Sequence, residues 1–309
     1  MSGILTAFAG ALGGGAVTGS NLVWICGGSE AAATLKTACQ TYNVSSGVVA
    51  AADTMDTARM AGNAGSNNSN KGVISHGYDI VTGIGYTDTT QKVTLPGGTW
   101  SNGAAVANSS GRMGGGTTSG TVLFGALSDN PADNNTTNKT EKYVFAADTS
   151  GAGSTLTNSY IARSGAHGDA LAAFTFGGSG PVSTVEKYTY SGDSVAAATS
   201  LGASVSHGYA AGNATYAYVG NHGNAAFTAM RKYTMATQTD AAGTALSQTV
   251  GQLEGAGSTN AKMLITGGTT DGTLTVVYTF SGDTTANGTA ITSAYRWPAC
   301  FAEAPGGLN

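Results

Sequence analysis

Charge is what this chain has least of. Of its 309 residues only 10% are Asp, Glu, Lys or Arg, against about 25% in ordinary soluble domains. A disordered polyelectrolyte needs high net charge and low hydrophobicity. Here the net charge is -4 and the hydrophobic share 41%, so that class is excluded. The same balance leaves no basic footprint for nucleic acid or for an anionic membrane surface. Proline is also scarce, at 5 residues, and the glycines follow no three-residue period, which excludes collagen. The 3 cysteines are too few for a disulfide framework and none lies in a C-x-x-C spacing, so no zinc site is expected. The N-terminal apolar run is too short to span a bilayer, and Met1-Ser2-Gly3-Ile4-Leu5 lacks the basic segment of a secretory signal. If the protein works outside the cell, export by another route is expected.

Abundance lies elsewhere. Glycine contributes 48 residues, about twice the usual share of roughly 7%. Ala, Ser, Thr and Asn make up much of the rest, residues that suit turns and small β-faces rather than helices. Length alone suggests about two domains at roughly 150 residues each, so the count has to come from internal pattern.

That pattern is a repeat. An alternating phrase recurs six times, around Tyr42, Val93, Tyr143, Tyr188, Tyr233 and Tyr278, at spacings of 51, 50, 45, 45 and 45 residues. In Glu186-Lys187-Tyr188-Thr189-Tyr190 successive side chains point to opposite faces of a strand. A second phrase follows each anchor by 17 to 21 residues and centres on Arg59, Arg112, Arg163, His207, Glu254 and Arg296. A third, an apolar strand running into glycine, reads Val23-Trp24-Ile25-Cys26-Gly27-Gly28, Phe174-Thr175-Phe176-Gly177-Gly178 and Leu264-Ile265-Thr266-Gly267-Gly268, with looser copies at Gly125 and Gly220 and a weak one at His76-Gly77. Each unit thus holds about four short strands. Four strands per 40–50 residues, repeated four to eight times, describe a β-propeller. The expectation is an all-β, six-bladed propeller over 20–309, with residues 1–19 as an apolar extension outside the repeat.

The glycine doublet, the tyrosine about ten residues later and the basic residue opening the next unit resemble kelch-type propellers. The small-residue units, such as Tyr190-Ser191-Gly192-Asp193-Ser194-Val195-Ala196, are similar to repeats of bacteriophage virion proteins. The second resemblance implies a non-enzymatic assembly module of a virion or other extracellular particle.

The chain starts on a glycine-doublet strand and ends on an inner-strand phrase, so the repeat register makes Ala299–Ala302 the innermost strand of the blade begun by Leu22–Cys26. Closing the ring with both termini removes open edges. All three cysteines fall in that blade. The preferred reading is buried free thiols, which behave as small hydrophobes; a Cys26–Cys300 staple is the alternative.

No constellation of catalysis stands out. A nucleophile elbow, a Walker loop and a dinucleotide fingerprint are absent. His76, His167, His207 and His222 share no metal spacing, and no carboxylate pair is proposed by position. No cofactor or metal and no enzyme activity are expected; the alternatives to an assembly module are a carbohydrate-binding propeller and, second, a propeller-fold enzyme such as a lyase, hydrolase or copper oxidase. If Arg59, Arg112, Arg163, His207, Glu254 and Arg296 open the innermost strands, they ring one channel mouth and suit a carboxylate, phosphate or sugar. The competing reading has each arginine bonding loop carbonyls between its own blade and the next. The stretches 63–72 and 128–140 read as polar insertions where recognition residues can sit. In the extension, Ile4, Leu5, Phe8 and Leu12 form an exposed apolar run that wants covering. It is expected to dock onto structural proteins of an assembly, with the triplet Gly13-Gly14-Gly15 as a joint. A host-surface glycan is the other expected partner; nucleic acid and membrane insertion are not.

Overall fold

The alternating phrases do become strands, and each falls third in a four-stranded antiparallel sheet. The structure, a computed structural model, describes residues 20–303 except 30–33, 60–62, 68–69, 80–84, 108–114, 118–119, 126–137, 160–164, 179–181, 207, 221–227, 251–253, 269–271 and 297. The apolar extension and its Ile4, Leu5, Phe8 and Leu12 lie outside the described residues, as do 304–309. Among the described residues there are six four-stranded sheets and no helix. Blade 1 runs, from the axis outward, Ala299–Ala302, Leu22–Cys26, Cys39–Asn43 and Val49–Ala52. Blades 2 to 6 start with the inner strands Asn63–Ser66, Gly115–Thr117, Gly165–Gly168, Ala210–Gly212 and Glu254–Ser258. Consecutive inner strands touch around the whole circle, so this is a closed six-bladed β-propeller.

Position in the blade explains composition. The second strands are sandwiched between neighbouring blades and are buried along nearly their full length, as in Ala172–Phe176 and Lys262–Gly267. The third strands alternate, burying the anchor tyrosines. The outer strands are small and exposed, as in Ser194–Ala198. The hydrophobic core therefore lies between blades rather than within one. Tyr233 of blade 5 packs on Phe174 and Phe176 of blade 4 with ring centroids 5.6 and 5.4 Å away. Trp24 of blade 1 stacks on Phe301 at 6.0 Å and meets Trp100 of blade 2 edge-on at 6.3 Å.

Five residues after every anchor the chain turns through a left-handed conformation, at Gly47, Gly98, Asp148, Asp193, Gln238 and Asp283, with φ between 44° and 78°. Glycine enters that region freely, and Asp among non-glycine residues tolerates it well. Where Asp stands there, its carboxylate gathers donors from two blades. Asp193 accepts from Tyr188 of its own blade, from Lys142 Nζ of blade 3 at 2.5 Å, and from the N–H of Ser154, also of blade 3, at 2.9 Å. Asp148 repeats this with Tyr143, Lys92 and the N–H of Ala104, and Asp283 with Tyr278 and Lys232. Burial pushes the Asp193 carboxyl up, but hydrogen bonds from Lys142, Tyr188 and Ser154 outweigh it and hold the group at about 2. Two residues before the anchor a second tie recurs. Glu186 accepts from the N–H of Thr157 and Asn158 of blade 3 at 2.6 and 3.1 Å, and Gln40 accepts from the N–H of Thr292 across the closing seam at 3.0 Å.

The ends of the chain close one blade, as the register of the repeats requires: Val23 pairs with Ala302, Trp24 with Phe301 and Cys26 with Ala299. Glu303 then accepts from Trp24 Nε1 at 3.1 Å and from Ser20 Oγ at 2.8 Å. The cysteine reading is corrected. Cys26 lies opposite Cys39 in the neighbouring strand and is disulfide-bonded to it, leaving Cys300 free. Cys300 is paired in register with Ile25, one residue away from Cys26, and so packs on the other face of the sheet. The stretch 63–72 is not an insertion either. It forms the inner strand of blade 2 and the turn into Lys71–Ser75, and the additional residues of that blade follow later, with the small hairpin of Tyr78–Asp79 and Gly85–Tyr86. Most of 128–140 lies outside the described residues.

Deleting residues 298–309 removes the innermost strand of blade 1 and exposes the backbone edge of Leu22–Cys26. Such a truncation is expected to elute as aggregate in size-exclusion chromatography; a soluble monomer with an unchanged melting temperature would contradict closure by both termini.

Candidate functional site

The inner strands can crowd the axis because their side chains are small. A Cβ on Gly165 would sit 2.4 Å from the backbone nitrogen of Ala210 in the next blade, and one on Gly257 would sit 2.8 Å from Val23 Cγ1. The cavity left on the axis is walled mostly by Ala and Gly, with Ser66, His167, Ser258, Cys300 and Phe301 among the lining residues. The two serines and the histidine there are each turned by a bond to a neighbouring blade. Ser66 Oγ of blade 2 donates to the carbonyl of Ala302 in blade 1. Ser258 Oγ of blade 6 accepts from the N–H of Gly212 in blade 5 at 2.9 Å. His167 Nε2 of blade 4 lies 3.1 Å from the carbonyl oxygen of Asn213, beside blade 5.

These bonds fix what remains on offer. A carbonyl only accepts, so His167 Nε2 carries the proton and Nδ1 is left as an acceptor. Desolvation lowers the His167 pKa from 6.5 to about 4, outweighing the Asn213 bond, so the ring is neutral near pH 7. Ser66 keeps lone pairs free and Ser258 keeps its hydroxyl hydrogen free. Burial pushes the Cys300 thiol far up, so it stays protonated. Among the described side chains that line the cavity none is charged.

The residues expected at the channel mouth are placed differently. Arg59 is 1% exposed. Its Nη1 donates to the carbonyls of His76 and Thr89 at 3.0 and 2.8 Å, and Nη2 to Thr89 Oγ1 at 2.8 Å, which pins the approach to blade 2 onto that blade's own loops. Its carbonyl takes the N–H of Gly28 at 2.6 Å. Arg296 exchanges two backbone bonds with Ser29, at 3.0 and 2.9 Å. The basic phase and the glycine doublet are thus parts of one joint, at which the chain crosses to the next blade. Gly28, at φ 87°, has to be glycine there, because a Cβ would lie 2.7 Å from the Arg296 carbonyl. Glu254 does open an inner strand, opposite Gly267. Arg112, Arg163 and His207 lie outside the described residues.

His76 and Glu141 form a fully buried pair at 3.5 Å between blades 2 and 3, with burial lowering the histidine pKa. The residues that line the axial cavity escaped sequence reasoning because they sit in the small-residue stretches before each apolar strand, where one Ser or His among Ala and Gly looks like filler. The usable signal was their phase, a few residues before each second strand.

No family model matches this chain, and no curated protein matches it. Among solved structures it is similar to a fungal alcohol oxidase of the AA5 family, determined in complex with copper, with 13% identity and a TM-score of 0.58 over 89% of this chain. The chain spans 64% of the length of that structure. The likeness shows the propeller fold. It also corrects the expectation of a virion module, because the propeller matched is that of an oxidase and not of a particle protein. Among the described residues no three His, Cys, Asp or Glu come together to hold a metal ion.

His167 is buried neutral, with its folded pKa below the unfolded value of 6.5. Its contribution to stability is therefore complete above pH 6.5 and is lost as pH falls toward 4. Thermal melts of wild type and His167→Gln are expected to diverge least at pH 4.5 and most at pH 7.5; parallel pH dependences would contradict a neutral buried ring.

Proposed function

We propose that this propeller binds a small uncharged hydroxyl compound, an alcohol or a neutral sugar, in its axial cavity, and does so without chemical turnover. The observation that carries this reading is the lining. It offers acceptors on His167 Nδ1 and Ser66, a donor on Ser258 and a protonated thiol on Cys300, with no charged side chain among the described lining residues. A hydroxyl group both donates and accepts, so it matches such a set. An ionised ligand would lose its hydration there with no counter-charge to replace it. Sugars carried on a surface glycan belong to the same chemical class. The kelch-type pattern fits this scaffold role, since its glycine doublets support the crossings between blades and not the site.

A second reading, oxidation of the bound alcohol, is favoured by the alcohol oxidase among similar structures. It needs a redox group in addition, and it places the hydroxyl compound in the same cavity.

Titration calorimetry against neutral monosaccharides, polyols and short alcohols tests the proposal. Saturable binding of at least one is expected, weakened roughly tenfold in His167→Leu, which removes the Nδ1 acceptor. Equal binding of an anionic analogue, or binding untouched by His167→Leu, would contradict it. Aldehyde or peroxide release during the titration would move the conclusion to the second reading.

A further inference from the structure

Three seams between blades bring the same two side-chain donors to one carboxylate from the left-handed turn, a lysine of the blade before and the anchor tyrosine hydroxyl, and two of these seams add a main-chain N–H of the blade before. Lys142, Ser154 and Tyr188 do this on Asp193, and Lys92, Ala104 and Tyr143 on Asp148. Lys232 and Tyr278 do it on Asp283. The seam between blades 4 and 5 keeps the donors and changes the acceptor. Lys187, Thr199 and Tyr233 stand at the corresponding positions, each 45 residues after Lys142, Ser154 and Tyr188. At the turn, Gln238 takes the place of Asp with the same backbone, φ 52°.

The consequence is visible in the side chains. The Tyr233 hydroxyl is fully buried and has no hydrogen-bond partner, whereas its three counterparts end on a carboxylate. Lys187 Nζ lies 5.8 Å from the centre of the Phe174 ring instead of on an acid. Asp240, the other carboxylate near this tyrosine, is committed to Arg231 and to the N–H of Gly202 at 2.5 Å. Gln238 is half-buried at the rim, and it sets an uncharged carboxamide where three of the other turns bring a carboxylate. A buried hydroxyl, an ammonium and an amide with one missing partner in common describe a receptor for that partner.

We propose that the seam between blades 4 and 5 is a binding site for the carboxylate of a small organic acid, held by Lys187 Nζ, Tyr233 OH and the Thr199 N–H, with Gln238 as its outer wall. The site is separate from the axial cavity, whose lining is uncharged, and takes the opposite class of ligand. The three seams with Asp at the turn serve as internal standards, because the lysine and the tyrosine there already hold an ionised carboxylate.

The test uses the full chain, with acetate and glucuronate as probes and chloride at equal ionic strength as the control. Both acids are expected to raise the melting temperature in a saturable way, and chloride is not. Lys187→Met should weaken the response about tenfold. Gln238→Asp supplies the carboxylate from within the chain, so it should melt roughly 2 °C above wild type and respond to neither acid. A response to glucuronate well above that to acetate would assign a sugar acid as the ligand; equal responses would assign the carboxylate group alone. Stabilisation no greater than with chloride would overturn the proposal and leave the Tyr233 hydroxyl to water. So would an undiminished response in Gln238→Asp, or a Gln238→Asp protein no more stable than wild type.

Discussion

A carboxylate on a left-handed turn, shared between two blades, is the interaction on which three of the six seams depend. A propeller blade presents both faces to neighbours, and in this chain the inner and outer strands are too small to hold those neighbours by packing alone. The grip falls to the second and third strands. Their aromatic rings fill the space between blades, and the Glu-Lys-Tyr phrase stitches the seam at its rim. Asp193 shows the arrangement most fully, drawing on a tyrosine of its own blade and on a lysine and a backbone amide of the blade before. Glu186, fully buried two residues before the tyrosine, binds the loop of that same preceding blade. With the seams tied at this radius, the inner strands are free to be Ala, Gly and Ser and to close tightly on the axis.

That division of labour also sets the chemistry. At the seams Asp148, Asp193 and Asp283 each have donors assigned to them, and the polar side chains described around the axial cavity are neutral hydroxyl, imidazole and thiol groups. An axial cavity of that kind selects for hydrogen bonding without charge. The arginines suited by type to recognition are spent, as far as the described residues go, on the crossings between blades: Arg59 by its guanidinium on the loops of blade 2, Arg296 by its backbone on Ser29.

Much of the architecture was legible because it is periodic. The anchor tyrosines, their near-constant spacing and the offset between the first and last phrases were enough to count six blades and to pair Ala299–Ala302 with Leu22–Cys26. What was not legible depends on register or on contacts far apart in the chain. The cysteine pairing turns on a single residue of register, which sets Cys26 opposite Cys39 and turns Cys300 to the other face. The partners that the Glu and Lys of the Glu-Lys-Tyr phrases find in other blades stand 28 to 51 residues away, so the phrase reads as a plain alternating strand until the blades are side by side. The virion reading came from a likeness of small-residue repeats, and such composition reports only how little room the axis and the exposed edges leave for side chains.

The central claim is that the turn carboxylate of one blade holds the blade before it. Amide hydrogen exchange of Ser154 in Asp193→Ala tests this most directly, because the amide and the substituted residue belong to different blades. The Ser154 N–H is predicted to lose protection relative to amides of Ala172–Phe176 in the same variant, which stay tied within their own sheet. Unchanged protection of Ser154, or a loss no greater than that of those core amides, would contradict the account.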